Sequence, residues 1–175
     1  KTLIRSERNG LSHEVVISPR KGAYKGMPSD RRFSLRILSA AYPKSVKVND
    51  KEANWTFNGE EMSIDIDIPV TDCATAKDIE IEYAEAGAKL AGIKGAAKRT
   101  YEAVYDLKRN HEDFGYFFPD WMARMYTIRE ALYYHPERMD ALTAEFWESY
   151  SAAAERLTAT GMNHVFIDRY KSFIK

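Results

Sequence analysis

The 175-residue chain is poor in cysteine, proline and glycine, with one, six and nine residues respectively. Because Cys73 has no second cysteine to pair with, no internal disulfide can form, and cysteine usage indicates no redox compartment. No apolar run reaches the roughly 18 residues of a transmembrane helix, so no membrane span is predicted. Lysine plus arginine (26) equals aspartate plus glutamate (26). No overall field therefore favours nucleic acid or an anionic membrane surface as a partner.

The first residues, KTLIRSERNG, lack an initiator methionine and the apolar core of a signal peptide. This start indicates an excised fragment or a processed chain. Apolar residues make up 45% and charged residues 30% of the sequence, a balance typical of a globular protein. The length suits one generous domain or two small ones.

Residues 1–85 have an apolar period of two, which indicates half-buried strands. The pattern is clearest in RFSLRIL (32–38) and MSIDIDI (62–68), where apolar and polar residues alternate. Further strand candidates are LIRSE, HEVVI, SVKVN, WTF and IEIEY. Seven or eight short strands at close spacing predict an antiparallel β-sandwich.

Residues 86–175 change to the period of helices, which predicts a bundle of three or four α-helices and an α+β, two-domain chain. Tyr101, Val104 and Leu107 are expected on the buried face of the first helix. The second and third helices are indicated by Trp121, Met125, Ile128 and Leu132, and by Met139, Leu142, Phe146, Tyr150 and Leu157. A short last helix, about 163–174, offers Val165, Phe166, Tyr170 and Phe173 for burial. Pro119 and Pro136 mark helix starts, and Gly161 marks a C-cap.

The segment RKGAYKGMPSDRRF (20–33) lies between two predicted strands and contains two of the nine glycines. Glycine is favoured where the backbone takes positive φ or passes close to another segment, and Gly22 and Gly26 bracket Tyr24. We expect a protruding bend that packs Tyr24 and Met27 against the sheet. Arg31 and Phe33, two residues apart, are expected to share a face of the next strand.

This segment resembles the strand–loop–strand segment of the distal C-terminal β-sandwich of family 31 glycoside hydrolases, known as domain of unknown function 5110. The matching positions are Gly22, Tyr24, Gly26, Met27, Arg31 and Phe33. The stretches PKSVKVND and MSIDIDIP agree with the same domain, so the resemblance covers roughly residues 2–84. The helical half departs from the family, which usually ends with the sandwich or with further β-structure.

The resemblance implies a parent enzyme that is a retaining α-glycosidase acting on α-glucosides or α-xylosides. Such enzymes use two aspartates on a (β/α)₈ barrel that precedes this domain, so the implied partner is an upstream barrel of the same polypeptide. No residue of that catalytic motif can be carried over to this chain. The resemblance favours a periplasmic or extracellular location, and it implies no cofactor.

Asp65 and Asp67 are the carboxylates that most need a catalytic test, because strand alternation places them on one face, about 6.5–7 Å apart. That distance overlaps the separation of the two carboxyl groups in an inverting glycosidase. A solvated strand face is the favoured interpretation, since no apolar pocket is indicated that would raise one pKa. Calcium binding by the pair lacks the usual oxygen-rich loop.

No metal site is predicted from the histidines. His13-Glu14 lies in a strand pattern and lacks the second histidine of a zinc-binding helix. His111, Glu112 and Asp113 could supply three ligands, but a capped acidic connection before a helix is the favoured interpretation. No nucleophile–base triad, P-loop or dinucleotide fingerprint occurs in the sequence.

The dense aromatic residues of the helical half raise a carbohydrate-binding hypothesis, because tyrosine and tryptophan faces receive weakly polar partners. The candidate contacts are Tyr116, Trp121, Tyr133 and Tyr134. A helical core explains the same residues without a ligand. The sequence therefore favours a non-catalytic C-terminal accessory region that braces a family 31-like glycoside hydrolase or mediates its contacts. A carbohydrate-binding module and a protein-interaction or oligomerisation module remain the alternatives.

Overall fold

The computed structural model describes residues 1–87, 89–111 and 119–174. The chain divides into two compact units, Lys1–Gly87 and Ala88–Lys175, two residues beyond the division between residues 85 and 86 that the apolar pattern predicts. Strands make up the first unit and helices the second, so the predicted α+β class is confirmed.

The first unit contains eight strands in two antiparallel sheets. The strands are β1 (Ile4–Asn9), β2 (Ser12–Ile17), β3 (Asp30–Leu38), β4 (Pro43–Val48), β5 (Lys51–Glu52), β6 (Asn54–Asn58), β7 (Ser63–Asp72) and β8 (Lys77–Tyr83). One sheet has the order β1-β2-β8-β4-β5 and the other the order β3-β7-β6. The two-residue strand β5 had no signal in the alternation pattern.

The core of this unit is formed by the inner faces of the two sheets. The fully buried residues of β7 and β8 alternate with polar ones, as the period of two predicts. They include Ile64, Ile66, Ile79, Ile81 and Tyr83. Tyr42 joins the sheets, since its ring meets Trp55 and Phe57 of β6 edge-on at 5.9 and 5.4 Å between centroids. Edge strand β1 is exposed throughout.

A β-bulge interrupts the pairing of β3 with β7. Arg31 pairs with Thr71 and Phe33 pairs with Ile68, so β7 has one extra residue opposite Arg32. The extra residue falls at Pro69-Val70, and proline has no N–H to donate to the ladder. The bulge leaves Val70 exposed on the same strand whose isoleucines are buried.

Among the described residues the second unit has five α-helices. They are α1 (Ile93–Asn110), α2 (Asp120–Tyr126), α3 (Ile128–Tyr134), α4 (Met139–Ala159) and α5 (His164–Phe173), with a 3₁₀ turn over Pro136–Arg138. The predicted second helix is divided at Thr127, whose Oγ1 donates to the carbonyl of Ala123 at 3.0 Å. A threonine that bonds back to the carbonyl four residues earlier bends a helix.

The helix boundaries follow local signals. Pro119 precedes α2, and Pro136 opens the turn that leads into α4. Gly161, with φ of 76°, follows the end of α4 in the left-handed conformation of a C-cap. Asn163 caps α5 by accepting a hydrogen bond from the Val165 amide at 3.0 Å. No helix in the described residues combines the length and apolar composition needed to cross a bilayer.

Two burial predictions for this unit were wrong. Tyr101 is 48% exposed, because the buried stripe of α1 consists largely of small residues next to it, such as Ala97, Thr100 and Ala103, with Val104. Small residues allow neighbouring helices to approach closely, which leaves a bulky tyrosine at the margin. In α5, Val165 was expected to be buried and is exposed, whereas the expected burial of Tyr170 is confirmed and Ile167 is buried with it.

Candidate functional site

The glycine-bracketed segment forms a loop whose two ends are tied to one residue. The Arg20 amide donates to the Cys73 carbonyl at 2.9 Å, and the Cys73 amide donates to the Ser29 carbonyl at 2.8 Å. Gly22 and Gly26 have φ values of 95° and 83°, as expected for glycines that bracket a bend between two strands. Their conformations, and the double anchor at Cys73, make the loop an architectural feature.

Tyr24 points away from the sheet, contrary to the prediction that the bend packs it inward. Its side chain is 64% exposed, whereas Met27 is half-buried. The Met27 amide donates to the Tyr24 carbonyl at 3.1 Å, which closes a four-residue turn with Gly26 in the position where type II turns require positive φ. Tyr24 opens that turn and therefore lies at the outer end of the loop.

Asp65 and Asp67 lie on the outer face of the three-stranded sheet, and each forms an ion pair with an arginine of β3. Arg36 donates to Asp65 through Nε at 2.7 Å and Nη2 at 3.1 Å. Arg32 donates to Asp67 through Nε at 2.7 Å and Nη2 at 2.6 Å. Both pairs have the two-pronged geometry in which guanidinium matches carboxylate most closely.

This geometry determines the protonation of Asp67. The hydrogen bonds from Arg32 hold the pKa of Asp67 below its usual value, and the neighbouring positive charge acts in the same direction. A glycosidase acid needs the opposite change, a raised pKa that keeps the proton available. Asp67 is therefore a structural anion, and the two-pronged contact of Asp65 with Arg36 repeats the same arrangement, in agreement with the solvated-face interpretation.

A second cluster joins β1, β2 and β8 through His13. Its Nε2 lies 2.7 Å from Oγ of Ser6, and its Nδ1 lies 2.9 Å from the Tyr83 hydroxyl. The Arg8 guanidinium lies 4.3 Å from the centroid of the Tyr83 ring and donates to the Ala86 carbonyl. This cluster was not predicted, since Ser6, Arg8 and His13 are close in the chain but Tyr83 is 70 residues from His13 and reaches it only through the pairing of β2 with β8.

The order hydroxyl, imidazole and orienting group matches the layout of a nucleophile with its base. The electrostatics oppose that chemistry. Burial lowers the pKa of His13, and the charge of Arg8 lowers it further. In a catalytic triad a carboxylate stabilises the imidazolium, whereas here the third group is a phenol whose own pKa is raised by burial. The cluster fits a buried hydrogen-bond network that fixes edge strand β1.

The aromatic residues predicted to contact sugar do not form one platform. Trp121 is half-buried, with the Arg156 guanidinium 5.5 Å from its ring centroid. Tyr133 and Tyr134 are exposed, but their rings are perpendicular, with centroids 5.1 Å apart. Perpendicular rings cannot both lie against one flat sugar face. Tyr116 lies outside the described residues.

A different set of tyrosines forms a surface of nearly parallel rings, here called the tyrosine row and consisting of Tyr101, Tyr105 and Tyr126. The Tyr101 ring is inclined 7° to that of Tyr105 and 19° to that of Tyr126, with centroids 6.4 and 4.8 Å apart. Tyr101 and Tyr105 are about half exposed, at 48% and 53%. A hydrogen bond with Tyr101 raises the pKa of the Tyr126 phenol, and Lys108 Nζ lies 5.6 Å from the Tyr126 ring centroid.

The tyrosine row was missed in the sequence although it carries a signal. Tyr101 and Tyr105 are four residues apart, so on a helix their side chains lie one above the other. The signal was obscured because Tyr101 also lies three residues before Val104, which is buried. Counting alanine and threonine as buried-face residues would have moved Tyr101 to the margin.

The histidine cluster predicted as a capped connection is only partly described. His111 ends α1, and its ring meets the Phe166 ring edge-on at 4.6 Å, while Glu112 and Asp113 lie outside the described residues. Within residues 1–87, 89–111 and 119–174, no group of three or more potential metal-binding side chains converges.

Comparison with known proteins adds no assignment: no protein-family model, no curated protein and no solved structure matches the chain.

Proposed function

We propose that this chain is a non-catalytic accessory region of a family 31-like glycoside hydrolase of the α-glucosidase or α-xylosidase type. The observation that carries the proposal is the pairing of Asp65 and Asp67 with Arg36 and Arg32. Asp65 and Asp67 are the carboxylate pair whose spacing best suits glycosidase catalysis, and both are held in ion pairs with arginines of β3. The resemblance of residues 20–33 to the distal sandwich of that family supplies the enzyme class.

The proposed partner is a (β/α)₈ barrel encoded upstream in the same polypeptide. Translation of the coding sequence that precedes the codon for Lys1 tests this directly. A barrel sequence bearing two aspartates in the catalytic positions of family 31 supports the proposal. An upstream sequence of another enzyme class, or of none, contradicts it.

The absence of catalysis in the chain itself has a separate test. We expect the purified chain to release no nitrophenol from nitrophenyl α-glucoside or α-xyloside. Asp65→Asn and Ser6→Ala serve as matched variants, one for the carboxylate pair and one for the histidine cluster. Hydrolysis by the wild-type chain that either substitution abolishes would overturn the proposal.

A carbohydrate-binding role is the second candidate, and the tyrosine row favours it. Nearly parallel rings that are half exposed offer apolar faces beside polar hydroxyls, which suits the mixed surface of a sugar ring. The row lies on α1 and α2 of the helical unit, the part of the chain to which the family resemblance assigns no role.

Titration of the chain with maltotetraose and with a xyloglucan heptasaccharide tests this second role. We expect aromatic NMR signals of Tyr101 and Tyr105 to shift saturably, and Tyr101→Ala or Tyr105→Ala to weaken binding by about 0.5–1.5 kcal/mol, the range of a favourable aromatic contact beyond its buried area. Tyr24→Ala, a more exposed tyrosine of the other unit, is the control. Unchanged oligosaccharide affinity in both row variants contradicts this role. Weaker binding by Tyr133→Ala or Tyr134→Ala would instead place the sugar contact at the tyrosines expected from the sequence.

The interaction-module alternative predicts self-association. Sedimentation velocity separates it from the other two, because bracing and sugar binding both allow a monomer. A concentration-dependent dimer that Tyr101→Ala dissociates would assign the tyrosine row to a protein interface.

A further inference from the structure

A cavity of about 210 Å³ lies at one end of the sandwich, between the starts of β1 and β3, the end of β2, and the β7–β8 turn. Its apolar wall includes Ile4, Ile17 and Phe33. Three basic side chains also line it, and no carboxylate does: Arg20, Arg31 and Lys77. Arg31 and Phe33, which the sequence predicted to share a face, therefore line the same cavity.

Lys77 is the buried member of the three, with 2% of its surface exposed. Its ammonium donates to the carbonyl oxygens of Asp72 at 2.8 Å and Thr75 at 2.6 Å. An ammonium has three N–H donors, so one remains. Among the described residues Lys77 forms no ion pair. A buried cation without a counter-ion is costly in free energy.

The two arginines add charge without neutralising it. The Arg20 side chain donates to the Pro28 carbonyl, and the Arg31 side chain makes no hydrogen bond or ion pair with the described residues. Two acidic residues adjacent in sequence to cavity-lining residues, Asp72 and Asp30, are hydrogen-bonded to their own neighbours. Asp72 accepts from the Ala74 amide and the Thr75 hydroxyl, and Asp30 accepts from the Ser29 hydroxyl.

We propose that this cavity binds a small organic carboxylate. The carboxylate would accept hydrogen bonds from Lys77 and Arg31, supplying the negative charge that the described residues do not. The remainder of the ligand would lie against Ile4, Ile17 and Phe33. A water molecule needs about 10–15 Å³ of such volume, so the cavity has room for more than the charged group. This site is separate from the tyrosine row and does not rest on the proposed enzyme class.

The chemistry could be supplied by a simple organic acid or by an acidic sugar, and the probes distinguish them. Sodium butanoate, sodium glucuronate and sodium sulfate are titrated into the full chain at constant ionic strength, with sodium chloride as reference. The ¹³Cε signal of Lys77 is followed by NMR. We expect a saturable shift with at least one carboxylate, and which of the two binds more tightly identifies the source.

Arg31→Gln is the primary variant, because Arg31 is exposed and its replacement should leave the fold intact. Loss of a charge-assisted hydrogen bond should weaken carboxylate binding about tenfold or more. Arg5→Gln, the same substitution on β1 at a position outside the cavity, should bind as the wild type does. The proposal is overturned by equal affinity in Arg31→Gln and wild type, by binding of sulfate alone, or by a Lys77 signal that does not respond to either carboxylate.

Discussion

Strand β7 offers a direct test of the sandwich core, because buried and exposed apolar residues occur on the same strand. Ile66 is 0% exposed and lies between Leu35 and Trp55 on the neighbouring strands. Ile66→Ala removes three buried carbon groups, a loss of about 2.4 kcal/mol at about 0.8 kcal/mol per methylene. The residual cavity raises the expected loss of unfolding free energy to about 3–4 kcal/mol, and Ile66→Val should cost about 1 kcal/mol.

Hydrogen–deuterium exchange of peptides from β3 and β7, measured as a function of urea, reports the unfolding of this unit separately from the helical unit. For Ile66→Ala we expect the midpoint to fall by about 2 M urea. Val70→Ala is the control, since Val70 is 70% exposed beyond the bulge, and it should change stability by less than about 0.5 kcal/mol. Similar losses for Ile66→Ala and Val70→Ala would refute the two-layer core.

Three further substitutions test other parts of the structure. Because burial and Arg8 lower the pKa of His13 below 6.5, the unfolded chain binds more protons below that pH, so urea unfolding should show wild-type stability falling more steeply below about pH 6.5 than that of His13→Gln. Gly26→Ala meets no atom within 4 Å but retains φ of 83°, so calorimetry should show a loss of about 1–2 kcal/mol. Asn163→Ala removes the cap of the Val165 amide, and amide exchange in α5 should show a loss of about 1 kcal/mol.

The strands were predictable because alternation is a local signal. In β7 the isoleucines are buried on one side and the aspartates face outward, as the alternation of apolar and polar residues predicts; these residues are Ile64, Ile66 and Ile68, and Asp65 and Asp67. The positive φ of three glycines was likewise predictable, because they lie in a turn or just after a helix, where that conformation is needed: Gly22, Gly26 and Gly161. In each of these positions the conformation depends on residues only one or two places away.

The contacts of the candidate sites were not predictable because they depend on register between separate strands. Asp65 meets Arg36 only because β3 and β7 pair with those residues opposite each other, and Ser6 reaches His13 only across β1 and β2. Lys77 looked like an ordinary polar position in an alternating strand, yet it lies on the buried face and its charge lines a cavity. Period and composition carry no information about such pairings.

The protonation of Asp67 is the property on which the non-catalytic account depends most directly. Its carboxyl carbon can be followed by NMR through an acid titration of the wild-type chain and of Arg32→Gln. The account predicts a pKa below the usual aspartate value in the wild type, and a return toward that value in the variant. A pKa above the usual value in the wild type would mark a poised acid and contradict the assignment of this pair to structure.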